Sequence, residues 1–297
     1  MGPGHRYPCV RMEEQDGAEL LAKGKAFVDL SYWRKVAVTG SDALTWLNDL
    51  VSNEVSDLAQ GRAKQALLLS PTGRIRAMFT VAVPASTILL IQDPSQPAPV
   101  EDILSRYVLS SDVQLEDRIG ELALFAFPGL ASPPDVPGAT FSAPSCLGAG
   151  LELVCAAADH DRLAATLGKS FRATGGEEME RWRVLAGRPL LGVDALEEDL
   201  PVEAGLDDLV SYDKGCYLGQ EAVAKVRNLG HPRRLVTALE ASELVPPGDT
   251  VLVDGSEAGQ VTSVAQIGGR VLAMARLAWE ARTGPFRTAT GTDLTPR

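Results

Sequence analysis

The chain has 297 residues, 45% hydrophobic and 23% charged, a balance that excludes a wholly disordered protein and provides enough apolar surface for two or three cores. The 28 Lys plus Arg against 39 Asp plus Glu leave a formal charge of −11, which disfavours binding to nucleic acid or anionic lipid through a global basic field; an anionic ligand then needs a local cluster of cations. Four cysteines (Cys9, Cys146, Cys155, Cys216) and three histidines (His5, His160, His231) are dispersed with no Cys-x-x-Cys pair, which argues against a metal site or a disulfide framework and fits a reducing cytosol.

Residues 1–25 are polar and Gly-rich and read as a flexible arm that contains Cys9. They lack the charged-then-apolar pattern of a signal peptide, and no apolar run approaches a membrane span, so a cytoplasmic protein without membrane contact is expected. Structure is expected to start near Ala26–Ser31, with a strand at Val36–Thr39 ended by Gly40. Ser41 reads as the N-cap of a helix over 42–52, with Leu44, Leu47, Leu50 and Val51 at helical spacing. Ala66–Leu69 and Ile75–Val83 flank Ser70-Pro71-Thr72-Gly73, which predicts an antiparallel hairpin, and Thr87–Ile91 adds a third strand.

Val100–Leu109 is helix-like, with Ile103, Leu104, Tyr107 and Val108 on one side, and Glu121–Phe127 reads as a strand. Pro128–Pro144 is rich in Pro, Gly, Ala and Ser, the composition of a linker between subdomains. A strand at Leu151–Cys155, where Cys155 takes a core role, and helices over 159–168 and 177–186 follow. After Arg234 come strand-like runs at Leu235–Leu239, Val251–Val253, Val261–Ala265 and Val271–Ala275, punctuated by Asp254-Gly255 and Gly268-Gly269, which predict a small β-barrel or sandwich. Without sustained β-α-β alternation, the fold class is α+β. The expected organisation is an arm (1–25), an N-terminal α+β subdomain (26–130), a second one (145–232) and a C-terminal β-barrel (233–297).

Asp213-Lys214-Gly215-Cys216-Tyr217-Leu218-Gly219-Gln220-Glu221 puts a thiol, an amine, an amide and a carboxylate into nine residues. A short amphipathic helix with Val223 and Val226 follows, which places Cys216 at or just before a helix N-terminus. There the helix dipole and Lys214 favour a thiolate. Spacing alone leaves open the other reading, in which Gly215 and Gly219 form a tight turn and Cys216 is a small buried hydrophobe.

Lys214-Gly215-Cys216-Tyr217-x-Gly219-Gln220-Glu221 resembles the signature of the YgfZ-type folate-binding proteins, relatives of the aminomethyltransferase T-protein of glycine cleavage. T-proteins carry Asp at the place of Cys216 and Arg at that of Gln220. Phe27-Val28-Asp29-Leu30-Ser31, Leu50-Val51-Ser52-Asn53, Ser70-Pro71-Thr72-Gly73-Arg74-Ile75 and Ala186-Gly187-Arg188-Pro189 follow the family in order and spacing.

The resemblance implies an aminomethyltransferase-like fold of subdomains in a ring, with tetrahydrofolate or a folate derivative in the middle and a barrel closing one side. It implies folate contacts at Trp33, Glu203, Gln220, Arg233 and Arg234, and functional roles for Cys216, Lys214, Tyr217 and Glu221. Trp33 stands where the family places a pterin-contacting tryptophan; by itself it also fits a core position. Leu185 replaces a carboxylate that holds the pterin amino group in relatives, and Glu203 is the expected substitute. A second ring-stacking position falls at Met179, with Trp182 one turn on. Lys225, Arg227, Arg233 and Arg234 suit either a glutamate tail or a solvated helix face.

The implied function is a folate-dependent accessory protein for iron–sulfur cluster assembly or repair in client enzymes, and so indirectly for tRNA modification. A true aminomethyltransferase is the alternative. It needs acids just after the first hairpin turn, where this chain has Gly73-Arg74-Ile75-Arg76-Ala77-Met78. A non-catalytic scaffold presenting Cys216 to a partner is the third reading.

Overall fold

A computed structural model describes residues 16–137 and 139–297; His5, Cys9 and the first 15 residues of the expected arm lie outside the described residues. From residue 16 on, the arm gives way to structure. The Asp16 carboxylate accepts from the Ala18 amide and starts α1 (Gly17–Ala22), in which Ala18 and Leu21 are fully buried. Next come β1 (Ala26–Asp29), β2 (Arg34–Thr39) and α2 (Ala43–Leu50). Asp42, not Ser41, holds the N-cap position of α2, because the Ser41 hydroxyl donates to Asp112 instead. The expected meander follows as β3 (Arg62–Leu69), β4 (Ile75–Val83) and β5 (Ile88–Gln92).

The helix expected over 100–109 is shorter: α3 (Val100–Leu104) tightens into a 3₁₀ turn at Ser105–Tyr107, and Leu109 is exposed. After β6 (Gln114–Asp117) and β7 (Leu122–Phe127), the Pro-rich stretch contains β8 (Thr140–Ser142) before β9 (Leu151–Ala156). Then come α4 (His160–Leu167), β10 (Arg172–Thr174), α5 (Gly176–Leu185) and α6 (Gln220–Leu229). The C-terminal region holds β11 (Arg234–Ala241), β12 (Thr250–Val253), β13 (Ser256–Ile267), β14 (Arg270–Ala278), β15 (Phe286–Thr288) and β16 (Asp293–Pro296).

These strands form two five-stranded sheets, in the orders β3-β4-β5-β2-β6 and β10-β1-β7-β9-β8, and a closed barrel, β11-β14-β13-β12-β15-β16. The architecture is α+β, as expected. The first sheet buries Val36, Leu68 and Phe79 against Trp46 and Leu47 of α2. In the second, β7 pairs directly with β9 and β8 pairs with the far edge of β9. The 128–144 stretch is therefore an excursion within one sheet, not a link between two bodies; its Pro and Gly content marks a surface path rather than a boundary. Among the described residues no helix is long and apolar enough to cross a membrane.

One buried ion pair docks α5 on the barrel. Arg183 Nη1 donates to Asp194 Oδ2 at 2.6 Å, and its Nη2 donates to the Ser263 hydroxyl on β13 at 2.9 Å. Thr262 and Ser263 in turn donate to Asp194 Oδ1, so both carboxylate oxygens are satisfied although Asp194 is fully buried. Removing one partner of such a pair strands a charge in the interior. Asp194→Ala is expected to destabilise the fold by about 3–5 kcal/mol, read as a lower urea midpoint at unchanged m-value; a loss under about 1 kcal/mol would show that the pair is dispensable.

Candidate functional site

A cleft of about 500 Å³ opens where β4 and β5, α5 and the 186–208 segment meet. Trp33, Met179 and Trp182 give it flat or polarisable walls, and Gln65, Glu180, Arg183 and Arg188 bring polar groups to it. Trp33 is buried, and its placement rests on Lys35, a fully buried lysine on β2. Lys35 Nζ donates to the carbonyls of Ser31 at 2.7 Å and of Trp33 at 2.8 Å, which fixes the turn that carries the indole. Burial lowers this amine to about 8. Gln96 also lines the cleft, but its amide is spent on both backbone groups of Met78.

The β4 residues that reach the cleft are Met78, Phe79 and Thr80, while Ala77 is fully buried. Arg74 and Arg76 pair with Glu203 and Glu198. The acids that line the cleft come from elsewhere and are engaged. Asp93 accepts from the Ser95 amide, Glu180 pairs with Arg183, Asp207 accepts from the Tyr212 hydroxyl and Asp208 faces Arg188 at 3.8 Å.

Several expected cofactor contacts fall outside the cleft. Glu203 is buried, but its oxygens accept from Arg74, the Leu200 amide and the Arg233 amide, so it fastens the 200–208 segment to β4 and to the start of β11. Leu185, the position that Glu203 was expected to replace, packs instead in the cluster between α1 and the barrel. Gln220 opens α6, and Arg233 and Arg234 are exposed at the barrel entrance. None of these residues lines the cleft, whose cations are Arg183 and Arg188.

The cysteine motif forms a separate structure. Cys216 is exposed and lies four residues before α6 begins. The Lys214 ammonium turns inward and donates to the carbonyls of Asn48, Val51 and Asn53 at 2.5, 2.8 and 2.9 Å, beyond and within the last turn of α2. A cation is favoured at a helix C-terminus, and burial lowers this one to about 8. It is committed to α2 and does not serve the thiol. Tyr217 is buried among Leu67, Leu69 and Ile75, whereas Glu221 is exposed. Gly219, at φ +85°, lies so close to the first hairpin turn that a Cβ there would stand 2.4 Å from the Ser70 carbonyl oxygen and 3.1 Å from Gly73 Cα. The motif therefore anchors a loop at three points and leaves Cys216 facing solvent.

Sequence reasoning missed Glu152. On β9 it is fully buried one layer behind the cleft wall; its Oε2 accepts from the Cys146 amide at 2.7 Å, and Oε1 has no partner among the described residues. Burial raises its carboxyl to about 8, so it is protonated at neutral pH. Cys146 forms the wall in front of it, with a thiol raised well above the usual range by burial and then by Glu152. Ser142, directly opposite Glu152 on β8, and Thr80, on the cleft, also have buried hydroxyls without partners among the described residues. The signal was available in the sequence: Leu151-Glu152-Leu153-Val154-Cys155 sets a single acid inside an apolar strand.

Residues 11–133 match the family model described as GCVT N-terminal domain. An aminomethyltransferase of Streptomyces avermitilis is 26% identical over 323 residues, covering 96% of this chain and 87% of the relative. An aminomethyltransferase of Geobacillus kaustophilus is 28% identical over 300 residues, covering 89% and 81%. A chloroplastic protein of Arabidopsis thaliana, named for an inferred transferase activity, is 25% identical over 277 residues; the match spans 84% of this chain but 64% of the relative, just under two thirds. Among solved structures, the glycine cleavage system aminomethyltransferase T from Bartonella henselae superposes with a TM-score of 0.79 at 18% identity, over 95% of this chain and 87% of that one. The fold is that of the aminomethyltransferases.

The buried acid makes a pH signature. In the unfolded chain Glu152 ionises near its ordinary value of 4.5, whereas in the fold it stays neutral to about 8. Between these values the folded state binds the extra proton, so stability falls as pH rises, with a slope approaching about 1.4 kcal/mol per pH unit from this group. Glu152→Gln, which is neutral at every pH, is expected to remove that slope, so that the variant gains on wild type from pH 5 to pH 8. Parallel stability–pH curves for the two proteins would show that Glu152 is not the buried neutral acid described.

Proposed function

We propose that the cleft binds tetrahydrofolate or a folate derivative, and that the chain acts as an accessory protein for iron–sulfur cluster assembly or repair in client enzymes. Its indirect effect would be on the tRNA modifications that depend on such enzymes. The observation that carries this reading is the division of labour between a cleft with flat walls and no acid from β4, and an exposed thiol on a loop outside that cleft.

Trp33 and Met179 offer stacking surfaces for a flat heterocycle, with about 1 kcal/mol from ring contact beyond area burial. Arg188 gives the cleft a cation for an anionic group. Cys216 would meet a partner, an iron–sulfur client or assembly protein, rather than the folate. One cysteine cannot complete a four-ligand cluster, so any cluster contact needs ligands from that partner.

The names of the relatives favour a second reading, a folate-dependent aminomethyltransferase. Aminomethyl transfer calls for a carboxylate beside the reacting nitrogen to orient it and offset developing positive charge. The strand that faces the cleft brings Met78 there instead.

Fluorescence titration with tetrahydrofolate is expected to give saturable binding that weakens about tenfold or more in Trp33→Ala and is unchanged in Cys216→Ala. In cells lacking the chain, Cys216→Ala is expected to fail to restore iron–sulfur enzyme activity although it binds folate normally. Full restoration by Cys216→Ala would refute the thiol's role. Aminomethyl transfer by the wild type that is lost in Asp93→Asn would establish the transferase reading instead.

A further inference from the structure

The cleft carries more acids than cations: Asp93, Glu180, Asp207 and Asp208 line it against Arg183 and Arg188. Arg183 is spent on Asp194, Glu180 and the Ser263 hydroxyl, Arg188 reaches the Gly148 carbonyl and faces Asp208, and the Tyr212 hydroxyl donates to Asp207. Asp93 stands apart from these pairings. It follows β5 directly, and its Oδ1 accepts from the Ser95 amide at 2.8 Å. Among the described residues its Oδ2 has no hydrogen-bond partner and no cation lies within ion-pair distance of it.

The walls of the cleft suit a cation beside this carboxylate. The indoles of Trp33 and Trp182 and the thioethers of Met78 and Met179 line the same space. An aromatic face attracts positive charge, most strongly where water is excluded, and thioether sulfur is polarisable. Cys146 ties Asp93 to the Trp33 end of the cleft. It packs in one cluster with Trp33 and Met179, and its thiol is raised by burial first, then by Glu152, and also by the Asp93 charge. The buried amine of Lys35 is turned to the Ser31 and Trp33 carbonyls and does not line the cleft.

We infer that the cleft selects a folate whose one-carbon unit bears a positive charge, the 5,10-methenyl form, and that Asp93 makes the selection. The inference rests on the folate reading above and adds to it the form of the ligand. In the methenyl form the charge is delocalised over N5, the bridging carbon and N10, which makes a flat cation. The free oxygen of Asp93 offsets that charge while the indole faces meet its plane. A neutral folate in the same cleft would take water from the Asp93 carboxylate and return no charge to it, which is a cost.

Calorimetric titration of the full chain with 5,10-methenyltetrahydrofolate and with 5-formyltetrahydrofolate, at mildly acidic pH where the methenyl cation persists, tests the selection. The two ligands share a tail and a one-carbon unit of the same oxidation level, and they differ by one water and one positive charge. The expected result is about a tenfold preference for the methenyl form in the wild type. That preference is expected to fall to about parity in Asp93→Asn, which keeps an acceptor for the Ser95 amide but no charge, and to persist in Asp93→Glu. Thermal melting confirms that each variant is folded. Equal binding of both ligands by the wild type would overturn the selection for a cation and leave the folate reading standing. A preference undiminished in Asp93→Asn would overturn the role of Asp93. If neither ligand binds, both readings fail together.

Discussion

The Arg183 guanidinium joins α5, the 190–199 segment and the barrel through a single buried carboxylate, Asp194. The cleft depends on that junction. Helix α5 contributes Met179, Glu180, Trp182 and Arg183 to it, and the helix has no sheet of its own; it is placed by α1 on one side and by the barrel strand β13 on the other. A buried ion pair is a weak source of net stability compared with a well-packed apolar replacement, but it tolerates few geometries. The barrel thus works as a jig for the helix that forms one wall of the cleft.

Opposite that wall, the scaffold is fixed by buried amines rather than by acids. Lys35 holds the turn bearing Trp33, and Lys214 holds the loop bearing Cys216 against the end of α2. Each ammonium is buried with no carboxylate within ion-pair distance among the described residues and takes backbone carbonyls as partners, an arrangement that satisfies those carbonyls and makes a loop rigid without forming an ion pair. The two lysines serve different loops, so the Trp33 wall of the cleft and the Cys216 thiol are held in different parts of the molecule. The Lys214–Glu221 stretch resolves into one exposed thiol and a set of fasteners.

Much of the fold was legible because local pattern and tertiary role agreed. The Ser70–Gly73 hairpin, the strand at Leu122–Phe127 and the Gly-punctuated barrel strands all follow alternation and turn chemistry. The failures came where a partner distant in sequence decided the outcome. The Ser41 hydroxyl prefers Asp112 across the sheet to the helix it precedes, and the polar residues around Leu20 and Leu21 obscure a helix that only α5 and the barrel can bury. Of the cleft lining, Trp33, Met179 and Trp182 were singled out by the family resemblance. Lys214 and Glu203, given functional roles by the resemblance, spend their charged groups on backbone and ion-pair partners within the fold, because a charged side chain next to a motif can face inward as readily as outward to a ligand. Glu152 was hidden by the opposite error, since an acid inside an apolar strand was passed over as part of a core element.

The contact between Gly73 and Gly219 has an evolutionary corollary. Each glycine occupies left-handed backbone, and each would push a Cβ into the other's segment: Gly219 toward Ser70 and Gly73, and Gly73 toward Ala222 and Val223. The hairpin turn and the thiol loop thus share one clearance. Neither segment can drift alone, and a lineage that enlarges one must reshape the other in the same step, which ties the sequence history of the first sheet to that of the cysteine it supports.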